Sequence, residues 1–518
     1  MPIPKEPTAY DQVRYPSYTH PPAHPDRLAV RAVLYGLDPP PVASCRVLEL
    51  GCGDGSNLVP MAFGLPGGNF VGLDLSTRAV ERGREMIADL GLENVELRQG
   101  DILSVDGTWG QFDYIIAHGV YSWVPPEVRE KILSICGSLL TPQGVAFISY
   151  LAYPGAYVRA MMRDLMLFRA GEVEDPAKLN AAGREAAELI AATSPAGDFV
   201  QRTMQAEAER ILKSVPDFLY HDDLSEWSAP YYFAHFANDA ARHGLQYLAE
   251  ADQTEMQHSH LTESVQEQLL RLSGNRIERE QYLDFIRARR FRQTLLCRSN
   301  LTVNENAGSE RLAGLLVAST ATGPEGEIDL QPGVEVAFIS PRGPKLDTSY
   351  AAGKAAMAIL VEAWPLRLPL AEITAEVRSR LAAAGIEHSG TEQIEKGLHE
   401  FLLKINAVGV VDFHTDPTGQ VTKFSERPVA SPVARWQLQH GTFATSLQHF
   451  GLTFNDKASV LLLPLLDGTR DFATLVGEIK KANLKITATP EVSDFEDLEA
   501  DLLRERLDYL AKQGFLIG

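Results

Sequence analysis

In the segment VLELGCGDG at residues 47–55, an acid precedes three glycines in a spacing that could bind a small ligand. An apolar run leads into Glu49, and Gly51, Gly53 and Gly55 follow at alternate positions before a helical pattern begins. Glycine lets the backbone turn sharply and approach a ligand more closely than a side chain would permit. The same residues also fit an ordinary strand-to-helix turn, so this loop alone does not identify a ligand.

The spacing of the loop excludes two common phosphate-binding motifs. A dinucleotide loop has the pattern G-x-G-x-x-G, and a P-loop ends in G-K-[ST]. Here the pattern is E-x-G-x-G-x-G, with no lysine. Because Glu49 would repel a pyrophosphate, the motif favours a ligand that carries an ammonium or sulfonium charge.

Two further acids follow the next predicted strands. Asp74 ends the run NFVGLD, where a carboxylate could accept hydrogen bonds from two ribose hydroxyls. Asp101 begins DIL, where it could accept a hydrogen bond from an adenine amino group while Ile102 covers the ring. Each acid alone could be a helix cap. Ligands of parallel α/β sheets bind at the carboxyl ends of the strands, so three acids at successive strand ends predict one site.

An alternation of strands and helices positions these residues. Helical-period segments such as STRAVERGREMIADLG separate the apolar runs, which lie at 46–51, 69–74, 94–98, 112–117 and 144–150. Strands that alternate with helices form βαβ units, so the fold class is α/β, with a doubly covered Rossmann-like parallel sheet.

The rest of the chain changes character several times. Residues 156–300 carry helical periodicity, 301–344 hold short β-like runs among glycines and prolines, and 345–427 hold three helical patterns and a β-hairpin pattern typical of a winged helix. The predicted domains are a ligand-binding α/β domain, a helical middle domain, a strand-containing connection, a winged-helix-like module and a C-terminal helical domain, at 1–170, 171–300, 301–344, 345–427 and 428–518.

Composition limits the function classes. The net charge of −20 disfavours nucleic-acid binding, and the longest strongly apolar run, VLLLPLL, is far shorter than the roughly 20 residues that span a membrane. The amino terminus lacks a signal-peptide pattern, and four cysteines without a CxxC pair fit a reducing compartment, so we expect a cytoplasmic protein. No metal site is expected, because His258 and His260 lack matched acids or cysteines.

Five motifs in order resemble those of class I S-adenosylmethionine-dependent methyltransferases. They are VLELGCGDGSN, VGLDLS, GDI, FDYIIAHG and LLTPQGVAFIS, and the resemblance covers about residues 20–155. The segments HGVYSWVP, YLAYPG and YLDFIRARRFRQTLLC further resemble bacterial methyltransferases with a regulatory domain, a group that includes the rickettsial outer-membrane-protein lysine methyltransferases. The resemblance implies S-adenosylmethionine as cofactor.

The resemblance also implies a role for each matching residue. The methionine part of the cofactor would contact one set of residues, Glu49, Gly51, Gly53 and Asn57. The ribose, the adenine and the sulfonium would contact another set, which is Asp74 with Leu75, Asp101 with Ile102, and His118.

Aromatic residues are the candidates for the acceptor channel. A lysine must lose its proton before it attacks the methyl group, and burial among aromatic rings favours that loss. Because they follow strand ends, Tyr121 and Tyr153 are predicted to act in catalysis, although packing or a turn would explain either. Substrate contacts or a lid are predicted for five further residues, Tyr15, Tyr18, His20, Trp123 and Tyr150.

These observations favour an N-methyltransferase that acts on a protein or peptide side chain, with lysine as the favoured acceptor. More than half of the chain lies outside the matched domain, and a polypeptide substrate needs an extended binding surface. Two alternatives remain: methylation of amide side chains in a ribosomally made peptide or of a small molecule, and a regulatory protein that binds the cofactor without turnover. The sequence does not predict the oligomeric state.

Overall fold

A computed structural model describes most of the chain, namely residues 8–193, 197–257, 261–341, 343–386, 390–417, 419–482 and 500–517. Two helices precede the first strand, α1 (Ala9–Gln12) and α2 (Pro25–Leu34). A reciprocal capping box between Thr8 and Asp11 begins α1. The first turn of α1 is therefore stabilised locally by its own side chains.

A seven-stranded sheet forms the centre of the first 300 residues. Its strands are β1 (Arg46–Leu50), β2 (Asn69–Asp74), β3 (Val95–Gln99), β4 (Phe112–Ala117), β5 (Leu140–Leu151), β6 (Leu245–Glu250) and β7 (Phe291–Arg298). The order is β3-β2-β1-β4-β5-β7-β6, in which β1 to β5 run parallel and β7 runs antiparallel to both of its neighbours. The predicted α/β fold class with a Rossmann-like sheet is confirmed.

Helices cover both faces of this sheet. Those that connect the first five strands are α3 (Leu58–Gly64), α4 (Thr77–Leu90) and α5 (Pro126–Leu139). The chain reverses its direction of winding at β1, which pairs with β2 on one side and with β4 on the other. In such sheets a crevice opens at this switch point beyond the carboxyl ends of the strands. The predicted ligand-binding residues follow these same strand ends.

Helices fill most of the middle segment, but two strands also lie in it. The helices are α6 (Ala156–Ala170), α7 (Pro176–Ala191), α8 (Phe199–Lys213), α9 (Pro216–Phe218), α10 (Phe233–Arg242), α11 (Glu263–Leu272) and α12 (Arg276–Arg287). The sequence pattern missed β6, the edge strand, and β7, its inner neighbour, since both are buried at most positions and show no regular polar alternation. The residue after α12, Ala288, caps the helix in a left-handed conformation with a φ of 48°, and β7 begins three residues later. The predicted boundary at residue 170 therefore divides the sheet.

The next module combines helices with small sheets. Its elements are β8 (Leu316–Ala318), β9 (Val336–Ile339), β10 (Lys345–Thr348), α13 (Ala351–Ala363), β11 (Leu368–Pro369), α14 (Leu370–Ala383), α15 (Thr391–Ala407) and β12 (Asp412–His414). The strand β8 lies between β11 and β12 and pairs antiparallel with both. In the described part of 410–424, β12 thus pairs with a distant strand and not with a hairpin partner.

The last module has helices and one hairpin in its described residues. They are α16 (Pro432–His440), β13 (Phe443–Thr445), β14 (Gly451–Thr453), α17 (Lys457–Leu465), α18 (Phe472–Lys481) and α19 (Ala500–Lys512). A separate core of buried leucines holds them together, with Leu462, Leu475 and Leu507 at its centre. Within the described ranges, no helix is long and apolar enough to span a bilayer.

Candidate active site

The glycine loop after β1 has the backbone that its sequence predicts. Gly51, Gly53 and Gly55 have φ values of 73°, 55° and 74°, in the left-handed region that disfavours side chains. A Cβ on Gly51 would lie 2.3 Å from Cγ2 of Val120, so that position is closed to any larger residue. Above Gly53 the nearest atom to a Cβ would be Oγ of Ser17, at 3.5 Å. The amino-terminal segment therefore lies directly over this loop.

Glu49 presents a buried acceptor oxygen without a donor. Its side chain is 3% exposed, and its Oε1 accepts a hydrogen bond of 2.7 Å from Nδ2 of Asn57. Its Oε2 is buried and has no hydrogen-bond partner in the described part of the chain. Burial raises the pKa of Glu49 to about 8. A buried, unsatisfied carboxylate oxygen is unfavourable until a donor arrives, and the amino group of the methionine part of S-adenosylmethionine fits that requirement.

Asp74 joins the ends of β1 and β2. Its Oδ2 accepts a hydrogen bond of 2.8 Å from the backbone N–H of Gly53, and its Oδ1 accepts one of 2.8 Å from the backbone N–H of Ser76. Burial raises the pKa of this carboxyl group above its ordinary value. Each carboxylate oxygen has two acceptor positions, so both retain capacity for ligand hydroxyls. The next residue, Leu75, is 37% exposed and could cover a bound ring.

Asp101 caps a short helical turn at the end of β3. Its Oδ1 accepts a hydrogen bond of 2.9 Å from the backbone N–H of Leu103, which is the ordinary capping role considered in the sequence. Asp101 and Ile102 are both half-buried, and the backbone N–H of Gly100 donates to the carbonyl of Asp74 over 2.9 Å. The second and third strand ends are thus held side by side.

Two imidazoles lie in contact beside this edge. The ring of His118, at the end of β4, and the ring of His20 have centroids 3.6 Å apart. The backbone N–H of His20 also donates to Oδ1 of Asn57 over 2.9 Å. Burial lowers the pKa of His20 to about 4 and the pKa of His118 well below its ordinary value. Both rings are therefore neutral at pH 7 and do not repel a cationic ligand.

A cavity of about 330 Å³ adjoins His118. Three of its walls are the aromatic rings of Tyr15, Trp123 and Phe291. The other lining residues are Gly119, Leu151, Ala156, Arg159, Arg210, Asp222 and Arg290. The predictions for Tyr15 and Trp123 thus fall at this cavity, whereas the sequence analysis missed its charged groups. Those come from α6, α8, the turn after α9 and the start of β7.

Asp222 differs from the other acids near the cavity. Its Oδ1 accepts a hydrogen bond of 3.2 Å from the hydroxyl of Tyr15, and Nη2 of Arg159 lies 3.9 Å from its Oδ2. Burial raises the pKa of Asp222 to about 6. The three cavity arginines form closer ion pairs with two buried acids, Asp223 and Glu207. Asp222 is thus a cavity carboxylate whose charge is only loosely compensated.

Tyr121 and Tyr150 lie in the core and not at the cavity, so their predicted catalytic and substrate-binding positions are corrected. Tyr121 is 1% exposed, and its ring packs against Tyr231 and Phe236 at 5.4 and 5.3 Å. Tyr150 is fully buried, stacks on Phe236 at 4.3 Å and shares a hydrogen bond of 3.1 Å with Oγ1 of Thr294. Both side chains point to the face of the sheet that α10 covers.

Tyr153 and Tyr18 also lie outside the cavity lining. The half-buried ring of Tyr153 packs at 4.3 Å from Tyr157 and 5.2 Å from Tyr232, in a surface group of aromatic residues, so its predicted channel position is corrected as well. Tyr18 packs between Phe218 of the middle segment and Phe443 of β13, at 6.0 and 4.9 Å. It therefore joins the amino-terminal segment to two other modules.

The amino-terminal segment is fastened over the strand ends. The Oδ1 of Asp11 accepts hydrogen bonds from the hydroxyl of Ser76 at 2.7 Å and from the backbone N–H of Arg78 at 3.1 Å. Farther along, Tyr15 contacts Asp222 and His20 contacts Asn57. Residues 8–20 thus lie over the glycine loop and reach the cavity at Tyr15, and the lid role of Tyr15, Tyr18 and His20 stays a prediction.

A contact that sequence reasoning missed comes from the C-terminal module. The Nε2 of His449 lies 2.9 Å from Oδ1 of Asn57, although the two residues are 392 positions apart. No local pattern around His449 indicates this contact, because it exists only once the modules have packed. His258 and His260 lie outside the described residues, and the described part of the chain holds no cluster of metal-ligating residues.

Family models match three parts of the chain. A model described as "Methyltransferase domain" matches residues 41–215, and one described as "Predicted methyltransferase regulatory domain" matches 215–298. A third, described as "PKMT, C-terminal winged helix domain", matches residues 426–515. The winged-helix match thus lies on the segment with the hairpin of β13 and β14, directly after the 345–427 module for which the sequence predicted that fold.

The chain is also similar to known proteins over nearly its whole length. An uncharacterized protein of Rickettsia prowazekii (strain Madrid E) is 30% identical over 508 residues, which cover 95% of this chain and 90% of that protein. The structure of PKMT2 from Rickettsia typhi matches with a TM-score of 0.84 and 26% identity, covering 97% of this chain and 100% of that one. The same protein in complex with AdoHcy matches with a TM-score of 0.84 and 27% identity, over the same shares.

The family matches agree with the sheet order, the glycine loop and the unsatisfied carboxylate of Glu49 described above. The cofactor is S-adenosylmethionine, and the chain is a methyltransferase. The chain belongs to the class I S-adenosylmethionine-dependent methyltransferases that carry a methyltransferase regulatory domain, the family of the Rickettsia typhi protein PKMT2.

Proposed function

We propose that this methyltransferase transfers a methyl group to the ε-amine of a lysine in a polypeptide substrate. The observation that carries the proposal is one loosely compensated carboxylate, Asp222, within an aromatic-walled cavity that begins at His118. A cationic side chain of the length of lysine suits such a cavity. The Rickettsia typhi relative is named a PKMT, a protein lysine methyltransferase, which supports the same substrate class.

The cofactor would be held at the edge formed by β1, β2 and β3. Glu49 and Asn57, with the loop at Gly51 and Gly53, would bind its methionine part through the open Oε2 of Glu49. The ribose and the adenine would contact Asp74 with Leu75 and Asp101 with Ile102. Bound S-adenosylmethionine supplies an electrophilic methyl group on a sulfonium. The neutral ring of His118 would lie beside that charge without repelling it.

Asp222 would orient the lysine and accept its proton. An ammonium that enters the cavity can donate a hydrogen bond to the Asp222 carboxylate while the Tyr15 hydroxyl holds that carboxylate in place. The amine attacks only after it loses a proton, and a base is more effective as its pKa rises toward that of the proton donor. Since burial raises the pKa of Asp222 to about 6, it is a stronger base than an exposed aspartate. Transfer then follows as an in-line displacement that demands orientation more than acid catalysis.

The aromatic walls would favour the neutral amine before transfer and the cationic product after it. The rings of Tyr15, Trp123 and Phe291 exclude water, which lowers the pKa of an amine between them. The same rings attract a methylated ammonium through cation–π interactions of about 0.5–2 kcal/mol. Aromatic walls of this kind have less to offer an amide nitrogen, which carries no charge.

The middle segment and the two C-terminal modules would hold the polypeptide around the reacting lysine. The net charge of −20 favours approach of a lysine-bearing, basic segment over an acidic one. We further propose that the segments after residue 300 form modules separate from the sheet-containing domain, and that the protein lies in the cytoplasm, where the four free cysteines would remain reduced.

The test is incubation of the full chain with methyl-labelled S-adenosylmethionine and a basic lysine-containing polypeptide, followed by mass spectrometry of the labelled side chains. The matched substrate has every lysine replaced by arginine, which keeps its charge. We expect label on lysine nitrogen and none on the arginine form. Label on glutamine or asparagine amides, or only on small molecules, would contradict the proposal.

A further inference from the structure

The side chain of Asn57 connects the cofactor edge to the C-terminal module. Its Nδ2 donates to Oε1 of Glu49 over 2.7 Å, and its Oδ1 lies 2.9 Å from both the backbone nitrogen of His20 and Nε2 of His449. Asn57 is 4% exposed and His449 is 3% exposed, so water does not compete for these contacts. The side-chain oxygen of Asn57 thus accepts hydrogen bonds from two remote segments, while its side-chain nitrogen donates one to Glu49.

The direction of these hydrogen bonds follows from the donors present. The backbone nitrogen of His20 can only donate, so the atom of Asn57 that faces it must be the carbonyl oxygen. Nδ2 then faces Glu49, which needs a donor, and Nε2 of His449 must carry a hydrogen. A reversed amide would set two N–H groups against Nδ2 and two oxygens against each other. The three neighbours therefore select one orientation of Asn57.

The backbone at His449 is adapted to deliver this contact. The residue lies in the turn between β13 and β14 with a φ of 63°, a conformation that residues other than glycine rarely adopt. Its own N–H donates to the carbonyl of Ser446 over 2.9 Å, and the N–H of Leu447 donates to the carbonyl of Gly514 over 2.8 Å. The turn is thus fixed to the body of the C-terminal module. A histidine held there in a left-handed conformation points its ring at the cofactor loop of another module.

We propose that His449 is a positioning residue through which the C-terminal module orients Asn57 and thereby aims the Glu49 carboxylate at the amino group of the cofactor. This inference rests on the cofactor site proposed above. It gives the C-terminal module a role in cofactor binding in addition to any contact with the polypeptide. Docking of that module then completes the site, and its displacement weakens cofactor binding.

Titratable groups surround Glu49 and His449, the two residues that Asn57 connects, and they affect how cofactor binding depends on pH. Burial raises the pKa of Glu49, the hydrogen bond from Asn57 lowers it, and Asp74 raises it further. Loss of the Asn57 hydrogen bond therefore raises the pKa of Glu49. The titratable or charged residues that face Glu49 or His449 are Cys52 and Asp74 on one side and His20, His24 and Arg27 on the other.

The test is calorimetric titration of S-adenosylmethionine into the full chain and its His449 variants. The variant His449→Leu fills a similar volume without a donor, whereas His449→Gln retains an N–H that can reach Asn57. We expect His449→Leu to weaken binding about three- to tenfold, the usual loss for one hydrogen bond, and His449→Gln to recover most of it. The exposed His440 on α16 provides the control, and His440→Ala should bind normally.

A pH series separates positioning from a general loss of structure. In His449→Leu the pH at which cofactor affinity reaches half of its maximum should move upward, since Glu49 keeps its proton to higher pH; in His440→Ala it should not move. If the leucine variant does not fold, His449→Gly takes its place, because glycine adopts a φ of 63° without strain. Normal affinity in both His449→Leu and His449→Gly would overturn the inference while the cofactor site stands. Normal affinity in Glu49→Gln would instead refute the cofactor site itself.

Discussion

The proposed cofactor edge and the proposed acceptor cavity lie at different strand ends of one sheet, the first at β1, β2 and β3 and the second beside β4 and β5, and the chain builds them in different ways. The cofactor edge comes from three successive strand–loop units, in which Glu49, Asp74 and Asp101 are each held by nearby backbone or by Asn57. The cavity is assembled from remote segments, as the contact between Tyr15 and Asp222, 207 positions apart, illustrates. A site built from consecutive strand–loop units can be predicted from sequence motifs, whereas a site that forms only when distant segments pack together cannot.

The two regions also differ in their charge. At the cofactor edge, burial and neighbouring acids raise the pKa of both Glu49 and Asp74. At the cavity, Arg159, Arg210 and Arg290 lie among acids that pair with them. Among the described residues, the acids at the cofactor edge therefore lack basic partners, whereas the cavity arginines are paired with acids and leave Asp222 only loosely compensated.

The largest expected effect concerns the cavity. Asp222→Asn keeps the shape of the side chain and removes the base, so methyl transfer to a polypeptide should fall by about 10²–10⁴-fold, the usual contribution of a general base. The affinity for S-adenosylmethionine should not change, because Asp222 does not belong to the cofactor edge. Single-turnover transfer rates and calorimetric titration on the same preparations measure the two quantities.

The control for Asp222 is a nearby acid outside the cavity lining. Glu226 lies four residues later and is exposed, so Glu226→Gln removes the same charge and should leave the transfer rate unchanged. Equal losses in both variants would mean that the charge of the segment matters and not a base at the cavity.

The next effect concerns the cofactor edge. Asp74→Ala should weaken S-adenosylmethionine binding by about 1.5–3 kcal/mol, or roughly 10- to 150-fold, the range for a hydrogen-bonded charged group. It should also lower the melting temperature, because the backbone N–H groups of Gly53 and Ser76 lose their acceptor. Calorimetry and thermal unfolding check the two expectations, and unchanged affinity would remove Asp74 from the site.

Much of the fold could be predicted because its signals are local. The five predicted parallel strands agree with β1 to β5 within a few residues, since each is an apolar run bounded by turns and helices. The strands β6 and β7 were missed for different reasons: β7 lies inside the sheet and follows α12 without an intervening glycine or proline, whereas β6 is a short edge strand that is buried at five of its six residues. A buried inner strand and a buried stretch of helix have similar compositions.

The candidate site likewise contains residues that have a local sequence signal and residues that have none. The motifs at the first three strand ends, together with the family resemblance, predicted the residues of the proposed cofactor edge, whereas Asp222 carries no signal in the sequence beyond being one of many acids. Tyr121 and Tyr150 follow strand ends, but the direction of a side chain at a strand end depends on its register, and both point into the core. The contact between His449 and Asn57 depends on how two modules dock, which no local pattern determines.

A smaller effect separates a cavity tyrosine from a core tyrosine. Tyr15→Phe removes the hydroxyl that holds Asp222 and should lower the transfer rate about three- to tenfold, the loss for one net hydrogen bond. Tyr121→Phe should leave the transfer rate per folded molecule unchanged, since Tyr121 only packs in the core. Transfer rates on protein quantified by native absorbance check both. A rate loss in Tyr121→Phe without a loss of stability would return that residue to the active site.

The smallest expected effect lies where the two regions meet, at the contact between the tilted rings of His20 and His118. The folded pKa of His20 is about 4, below its ordinary value of 6.5, because burial penalises the charged ring. The unfolded chain therefore binds more protons than the folded chain between those values, and stability falls as the pH is lowered from 6.5 to 4. His20→Asn removes one of these groups and relieves the charge repulsion on His118. Between pH 4 and 6.5 the free energy of unfolding of the His20→Asn variant should therefore change less with pH than that of the wild type. The difference between the two slopes is at most about 1.4 kcal/mol per pH unit.

Thermal unfolding of the two proteins across pH 4–7 measures this difference, which amounts to a few degrees at most in a chain of this size. Glu49 and Asp222 change stability in the opposite direction, since burial raises their pKa values, but they are present in both proteins and cancel in the comparison. His440→Asn alters an exposed histidine and should reproduce the wild-type curve. Parallel curves for the wild type and His20→Asn would mean that His20 titrates normally, and that the boundary between the cofactor edge and the cavity is open to water.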